Sequence, residues 1–546
     1  MRILVIGAVA AGTSAAAKAR RNNDKAEIVI YEKDQDISYS GCGLPYYIGG
    51  EIEDIGELTP RDPLFFRKKY NIDIHTGHEV IKINPEEKKL VIKNIQTNEA
   101  FEDYYDKLVI ATGATPFVPH VNARGNQHVF FLRNVQSARS IRDFIEVQKP
   151  QRALIAGTGF IGFEMLENLM AEGIDVTIIE KDSKITPNLD EDMAAFLENT
   201  LIKKNITILK NNSITTISEK SVILQDGTEV TSDMVIMAAG VRPNVTLAKE
   251  AGIVLGATGA IKVDHQMKTS VKDIYACGDC IETFSVITGK PVYRPLGSTA
   301  NKTGRIAGDA LTGGSLSYRG NLSTGIFKLF DLTVANTGLT EKEALQEGYD
   351  IVICHNIKPD KPSYFQGKEM VIKAIADKKT QKLLGVQIIG YEGVDKRIDV
   401  FATLITYGAK VDELFHLDLA YAPPFSTTKD PVHYTGMILD NALSKGRPII
   451  TAKKARELIS KGEKVQVVDA RVSKQYEEAR VDTAVNMPHS KLREEIKKLD
   501  KEIPTITYCN KGVTGNAAQN ILINEGFKEV YNLSGGHKFY KATKGE

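Results

Sequence analysis

Cys42 is the residue of this sequence best placed for chemistry, because it stands alone between two glycines in Ser38-Tyr39-Ser40-Gly41-Cys42-Gly43-Leu44-Pro45-Tyr46. The positions where a C-x-x-x-x-C pair would put a second sulfur are Ile37 and Tyr47. Cys42 has no sequence neighbour with which to close a disulfide, so its oxidised form is a mixed disulfide, a persulfide or a sulfenic acid. The flanking glycines allow backbone and ligand to approach closely. A second thiol, Cys509, ends the run Thr505-Ile506-Thr507-Tyr508 and precedes Asn510-Lys511-Gly512-Val513-Thr514-Gly515-Asn516, a loop that opens a helix. Cys277 and Cys280 have C-x-x-C spacing, which fits a redox pair or two packed, inert thiols.

Five cysteines in 546 residues do not make a disulfide framework, and their odd number suits a reducing, cytoplasmic compartment where thiols do chemistry. With 42% hydrophobic and 25% charged residues and a formal net charge of +1, neither disorder nor polyelectrolyte binding to nucleic acid is expected. No metal-ligand spacing stands out, and no apolar stretch approaches the ~20 residues that span a bilayer. The opening Met1-Arg2-Ile3-Leu4-Val5-Ile6-Gly7 run reads as a strand and turn rather than a secretory signal, since Gly12, Thr13 and Ser14 interrupt it and a helix pattern follows.

The elements that must position these thiols begin with a duplication. Residues 2–32 and 152–180 each read as apolar strand, glycine-rich turn, amphipathic helix, second strand and terminal acid, the grammar of a dinucleotide-binding unit. Gly7-Ala8-Val9-Ala10-Ala11-Gly12, with Glu32 twenty residues on, is the first; Val9 occupies the place usual for the middle glycine. Gly157-Thr158-Gly159-Phe160-Ile161-Gly162, with Glu180, matches the fingerprint fully. A carboxylate at 180 favours the free 2′-hydroxyl of NADH, although Lys181 beside it leaves NADPH open. Residues 107–113, ending Ala111-Thr112-Gly113, and 234–240 return the chain to the two sheets. A stretch without a nucleotide turn, 322–443, then reads as mixed strands with one or two helices, a candidate dimer interface. Ser444-Lys445-Gly446-Arg447-Pro448 reads as a break, and a small α/β domain follows.

Thr269-Ser270-Val271-Lys272-Asp273-Ile274-Tyr275-Ala276-Cys277-Gly278-Asp279, together with the Cys42 string, resembles the single-cysteine branch of the flavin disulfide reductases: coenzyme A-disulfide reductases, NAD(P)H-dependent persulfide or polysulfide reductases, and NADH oxidases and peroxidases. The resemblance runs to about Leu443. It implies FAD held by Gly7, Gly12, Glu32, Ala111, Thr112, Gly113, Gly278 and Asp279, and NADH or NADPH held by Gly157, Gly159, Gly162 and Glu180. Inside such a motif Cys277 and Cys280 are packed thiols. The coenzyme A reductases hold the CoA nucleotide near the first helix, which here implies Ser14, Lys18, Arg21, Ser38 and Lys69; Lys18 and Arg21, about one turn apart, form one phosphate-facing pair or an ordinary solvated face. Leu419-Ala420-Tyr421-Ala422-Pro423-Pro424-Phe425 resembles the interface motif of a homodimer, implying Tyr421, with Tyr364 as a second tyrosine, near the partner's redox cysteine and Lys429 near CoA; a packed interface aromatic is the other reading of Tyr421. No histidine precedes His75, which argues against a peroxidase.

Asp469-Ala470-Arg471, the Cys509 loop and Gly535-Gly536 resemble a rhodanese domain, in which loop N–H groups converge on one sulfur, or a non-catalytic docking module of that shape. The expected fold is α/β: two Rossmann-like dinucleotide-binding domains (FAD, 1–113 and 246–321; NAD(P)H, 114–245), an α+β dimerisation domain (322–443), a linker (444–450) and a rhodanese-like α/β domain (451–546). The expected activity is reduction of a small-molecule CoA persulfide, polysulfide or CoA disulfide through Cys42, with Cys509 carrying sulfane sulfur. An NADH oxidase using a Cys42 sulfenic acid and a redox-sensing docking protein are the alternatives.

Overall fold

The computed structural model describes residues 1–119, 121 and 127–544, which divide into two compact units, Met1–Asp182 with Thr207–Asn321 and Ser183–Ile206 with Leu322–Glu546. In the first unit the buried strands Arg2–Ile6, Glu27–Tyr31, Asp73–His75, Lys107–Ile110 and Ile274–Ala276 form one parallel sheet in the order 274–276, 107–110, 2–6, 27–31, 73–75. A second parallel sheet runs 207–209, 175–179, 152–156, 234–237, 129–130. Nearly continuous apolar strands are what a parallel sheet covered on both faces requires. Helix Ala10–Asn22 turns its alanines inward, and helix Gly297–Ala310 lies close against it. The approach is set by two glycines four residues apart: a Cβ on Gly304 would sit 2.3 Å from the Ala11 carbonyl oxygen and one on Gly308 2.2 Å from that of Ala15.

The second unit holds an antiparallel sheet in the order Gly325–Leu329, Leu332–Gly338, Leu383–Gly390, Glu369–Asp377, Ile351–Pro359. Three α-helices accompany it, Glu341–Gln346, Val394–Thr406 and Pro431–Ser444, more than the one or two expected, because the first is a short capped turn whose apolar periodicity is too brief to read. A parallel sheet of a different module follows, in the order Ile449–Ile450, Val530–Leu533, Thr505–Tyr508, Gln466–Asp469, Val485–Asn486. The chain break is shorter than the sequence suggests. Ile449–Ile450 already pairs with the sheet edge, and the Pro448 carbonyl accepts from Asn532 N at 3.1 Å and Gln519 Nε2 at 2.7 Å. Among the described residues no helix is long and apolar enough to cross a membrane, and no cluster of three metal-ligating side chains occurs.

Candidate functional site

The duplication seen in the sequence is repeated in the backbone hydrogen bonds of the first unit's two turns. Glu32 accepts from the backbone N–H of Ala8 at 2.7 Å, and Glu180 from that of Thr158 at 3.1 Å, each donor following the first glycine of its turn. A Cβ on Gly12 would sit 1.9 Å from the Gly7 carbonyl oxygen and one on Gly162 2.1 Å from that of Gly157, so both turns close only with glycine. Helices Ala10–Asn22 and Phe160–Ala171 both start without a side-chain cap and without an acid in their first turn. Their N-terminal N–H groups and dipoles are therefore available to a pyrophosphate. A Cβ on Gly159 would meet nothing within 4 Å, so the second turn has open space where phosphates would lie. Val9 caps the first helix with φ −97°, so its position does not need the left-handed backbone that favours glycine. Both sites fit a dinucleotide.

Ala111-Thr112-Gly113 crosses over this first turn. The Thr112 hydroxyl donates to the Asn244 carbonyl at 2.7 Å, and Asn244 Nδ2 donates back to the Thr112 carbonyl at 2.8 Å. Gly278 N donates to Thr303 Oγ1 at 3.1 Å and packs so near Ala11 that a Cβ would lie 2.7 Å from that methyl. Asp279 follows, its carboxyl pushed up by burial against the opposing pull of Arg133, whose Nη2 is 3.4 Å away. Cys277 and Cys280 are fully buried and unpaired within the core, with burial raising the Cys277 thiol and pushing that of Cys280 up to about 11. Neither has the accessible, electropositive surroundings of a reactive thiol.

Cys42 lies on a short 3₁₀ turn, Gly41–Gly43, that runs into helix Leu44–Ile48. Its loop is pinned by Ser38 N donating to the Ala8 carbonyl at 2.9 Å and Ser40 N to that of Leu58 at 2.8 Å. Of the five cysteines it alone is exposed. Surrounding protein nevertheless raises its thiol pKa, first by desolvation and then through the charges of Glu164 and Asp279. Glu164, on helix Phe160–Ala171, is itself pushed up to about 7 by burial and by Glu167.

Beside this loop a cavity of about 630 Å³ is lined by Ser14, Arg21 and Ser38, as expected, and by Arg61, Lys302 and Arg305, which the sequence did not single out. Lys18 does not join them. Its ammonium pairs with Asp309 at 3.1 Å and donates to Asn22 Oδ1 at 2.9 Å, because helix Gly297–Ala310 covers that side of the first helix. Lys69 lies over the rings of Phe65 and Tyr70, at 5.2 and 5.6 Å, and is not part of the cavity wall.

Tyr364, Tyr421 and Lys429 belong to the second unit, and Cys42 to the first. Tyr421 is 47% exposed and lines a cavity of about 460 Å³ with Lys361, Lys396 and Phe425. The loop carrying it is fixed by buried Arg397, which donates to Asp430 Oδ2 at 2.8 Å and to Ser426 Oγ at 3.2 Å. Tyr364 sits on an exposed 3₁₀ turn with its ring tilted against Phe365, and Lys429 is exposed.

Cys509 directly follows strand Thr505–Tyr508, and its sulfur accepts the N–H of Gly512 at 3.2 Å. Gly512, at φ +100°, caps helix Val513–Asn524. Asp469 takes a bidentate bond from Arg471, Nε at 2.9 Å and Nη2 at 2.6 Å, and the Tyr508 hydroxyl at 2.7 Å. Arg471 Nη1 then reaches Asn510 Oδ1 at 3.3 Å and His537 Nδ1 at 3.2 Å. Burial and that guanidinium push the His537 imidazole down to about 4, so it is neutral.

Residues 1–301 match the pyridine nucleotide-disulphide oxidoreductase family, 325–431 that family's dimerisation domain, and 451–543 the rhodanese-like domain. A coenzyme A disulfide reductase from Staphylococcus epidermidis is 35% identical over 441 residues, 80% of this chain and 99% of that protein. Two solved structures align along nearly the whole chain. Reduced Bacillus anthracis CoADR-RHD superposes with a TM-score of 0.97 at 35% identity, covering 99% of this chain and 98% of that one. An NAD-dependent persulfide reductase from A. fulgidus gives 0.92 at 34%, covering 99% and 100%. The paired dinucleotide turns, the antiparallel sheet and the Cys509 loop thus have one explanation: the chain belongs to the pyridine nucleotide-disulphide oxidoreductase family and carries a rhodanese-like domain in the same polypeptide.

Proposed function

We propose that this protein uses NAD(P)H to reduce the sulfur–sulfur bond of a CoA persulfide, a polysulfide or CoA disulfide through Cys42, while Cys509 carries sulfane sulfur. The observation that carries the reading is that Cys42 is exposed and unpaired while every other cysteine is buried, so the sulfur it reacts with comes from a small molecule. Membership in the family brings FAD and a pyridine nucleotide, which when bound supply the electron pair that regenerates the thiol. The rest falls to the chain. Gly7, Gly12, Glu32, Thr112 and Asp279 hold the first dinucleotide, and Gly157, Gly159, Gly162 and Glu180 the second. Arg21, Arg61, Lys302 and Arg305 present four cations beside the Cys42 loop, a fit for the phosphates of CoA, with Phe65 and Tyr70 as apolar walls. The Cys42 thiolate attacks one sulfur of the substrate, the other leaves as a thiolate or hydrosulfide, and a proton is required at the leaving atom. Tyr421, from a homodimer partner, is the donor we assign to it.

The functional divisions that go with this reading are an FAD domain of 1–113 and 246–321, an NAD(P)H domain of 114–245, a dimerisation domain of 322–443 and a rhodanese-like domain from 451. Five free thiols suit a cytoplasmic enzyme. Anaerobic turnover with CoA persulfide, CoA disulfide and polysulfide tests the proposal: NADH oxidation depends on one of them and is lost in Cys42→Ser. Oxygen uptake matching NADH consumption without any sulfur acceptor would replace the reading with that of an oxidase.

A further inference from the structure

Cys509 opens into a cavity of about 570 Å³ whose walls come from two modules of the second unit. The rhodanese-like module supplies Arg471, His489 and Lys511, and strand Ile351–Pro359 of the antiparallel sheet supplies Ile357, Lys358 and Pro359. A persulfide on Cys509 places negative charge on its outer sulfur, so the cations of this wall decide how well that sulfur is held.

The three cationic side chains of the wall are not equivalent. Arg471 is closed by the Asp469 carboxylate and by Asn510 and His537. Lys511 is ion-paired with Glu369, which also holds Lys538. Lys358 has no carboxylate within ion-pair distance among the described residues; its ammonium lies 3.7 Å over the ring of Tyr434. Burial, then Lys511 and Lys429, press the Lys358 ammonium towards losing its proton, and Cys509 opposes them. An anion at this point relieves the crowding of like charges.

Strand Ile351–Pro359 is also locked to the module that carries Cys509. His355 N donates to Ser534 Oγ at 2.6 Å and its imidazole stacks on Phe539 with centroids 4.1 Å apart, while Asp192 Oδ2, on helix Glu191–Ile202, holds the ring from outside that module at 2.7 Å. The strand that carries Lys358 is thereby fixed in place, and Lys358 lines the cavity three residues further along it.

We propose that Lys358 is a binding residue of the Cys509 site, the counter-ion of the Cys509 persulfide anion, so that a lysine from the dimerisation domain completes the sulfur site of the rhodanese-like domain. The inference rests on the reading of Cys509 as a sulfur carrier. The Cys509 thiolate attacks the outer sulfur of a small-molecule persulfide, R–S–SH; a bond forms between Cys509 Sγ and that sulfur, the donor's S–S bond breaks, and R–S⁻ leaves with the electron pair. No net oxidation occurs, and the proton of the transferred sulfur passes to the departing thiolate, leaving Cys509–S–S⁻ opposite Lys358.

The test uses the full chain with Lys358→Met, Lys358→Arg and Cys509→Ser. Peptide mass spectrometry reads the sulfur gained by Cys509 from CoA persulfide and the rates at which Cys509 is alkylated by iodoacetate and by neutral iodoacetamide. In Lys358→Met the iodoacetate-to-iodoacetamide ratio falls about tenfold and persulfide occupancy drops, and Lys358→Arg restores both. A ratio unchanged in Lys358→Met overturns the proposal even where that variant stays folded, as the iodoacetamide rate reports. Failure of the unsubstituted protein to gain sulfur at Cys509 sinks the sulfur-carrier reading instead, and the alkylation ratio still decides whether Lys358 holds an anion there.

Discussion

Cys42 is exposed on a short helical turn with Glu164 and Asp279 as the charges acting on it, whereas Cys509 is nearly buried, receives the Gly512 N–H and looks onto lysines. The first thiol is raised by its own protein, so its reactivity depends on what binds beside it. The second has its stabilising donors built into the chain. A sulfur that must be switched on by cofactor and substrate suits reduction coupled to NAD(P)H; one that is permanently cradled suits storage and transfer.

The sharpest way to separate them is Cys42→Ser, expected to lower NADH-dependent sulfur–sulfur reduction about a thousandfold or more while Cys509 still gains sulfur from CoA persulfide. Stopped-flow turnover and peptide mass spectrometry read the two halves independently, and loss of both would show that the sites are not separable. The double variant Arg21→Ala, Arg305→Ala comes next. It raises KM for CoA substrates about thirtyfold with a smaller change in kcat, and its KM becomes less sensitive to salt, because exposed cations act on substrate phosphates before the transition state.

On the Cys509 side, His537 is held neutral down to about pH 4, while in the unfolded chain it titrates near 6.5. Between those values the unfolded state binds the additional proton, so stability is complete above about pH 6.5 and declines as pH falls towards 4, by about 1–2 kcal/mol after allowance for solvent screening. Hydrogen exchange in strand Val530–Leu533 and helix Gly536–Ala542 at about pH 7 and pH 5 measures this, and His537→Gln flattens the difference. The smallest effect belongs to Glu164→Gln. Removing a like charge from beside Cys42 lowers its pKa, so alkylation of that thiol at about pH 8 quickens about threefold; an unchanged rate would show that Glu164 does not act on Cys42.

Both dinucleotide turns, the lone Cys42 and the Cys509 loop were legible because each is local: a strand, a turn and a helix start encoded within a few consecutive residues. What surrounds them was not. Arg305 and Lys302 reach the cavity from a helix nearly three hundred residues after Arg21, and the same helix takes Lys18 away by offering Asp309. Lys358 reads as one more strand lysine until the sheet brings it to Cys509. Sequence periodicity tells which face of a helix is polar, and only packing tells which polar face is covered. The break before the last domain is shorter than its residues suggest for a related reason, since two residues of edge strand carry no periodicity of their own.

Whether Cys42 exchanges sulfur with a small molecule is decided by one anaerobic turnover. Enzyme reduced with one equivalent of NADH and mixed with CoA disulfide is quenched in acid, and the Cys42 peptide is weighed. The expected product is a mixed disulfide between Cys42 and CoA, with one CoA thiol released per subunit. An unmodified Cys42 peptide at every quench time, while CoA disulfide is consumed, would contradict it.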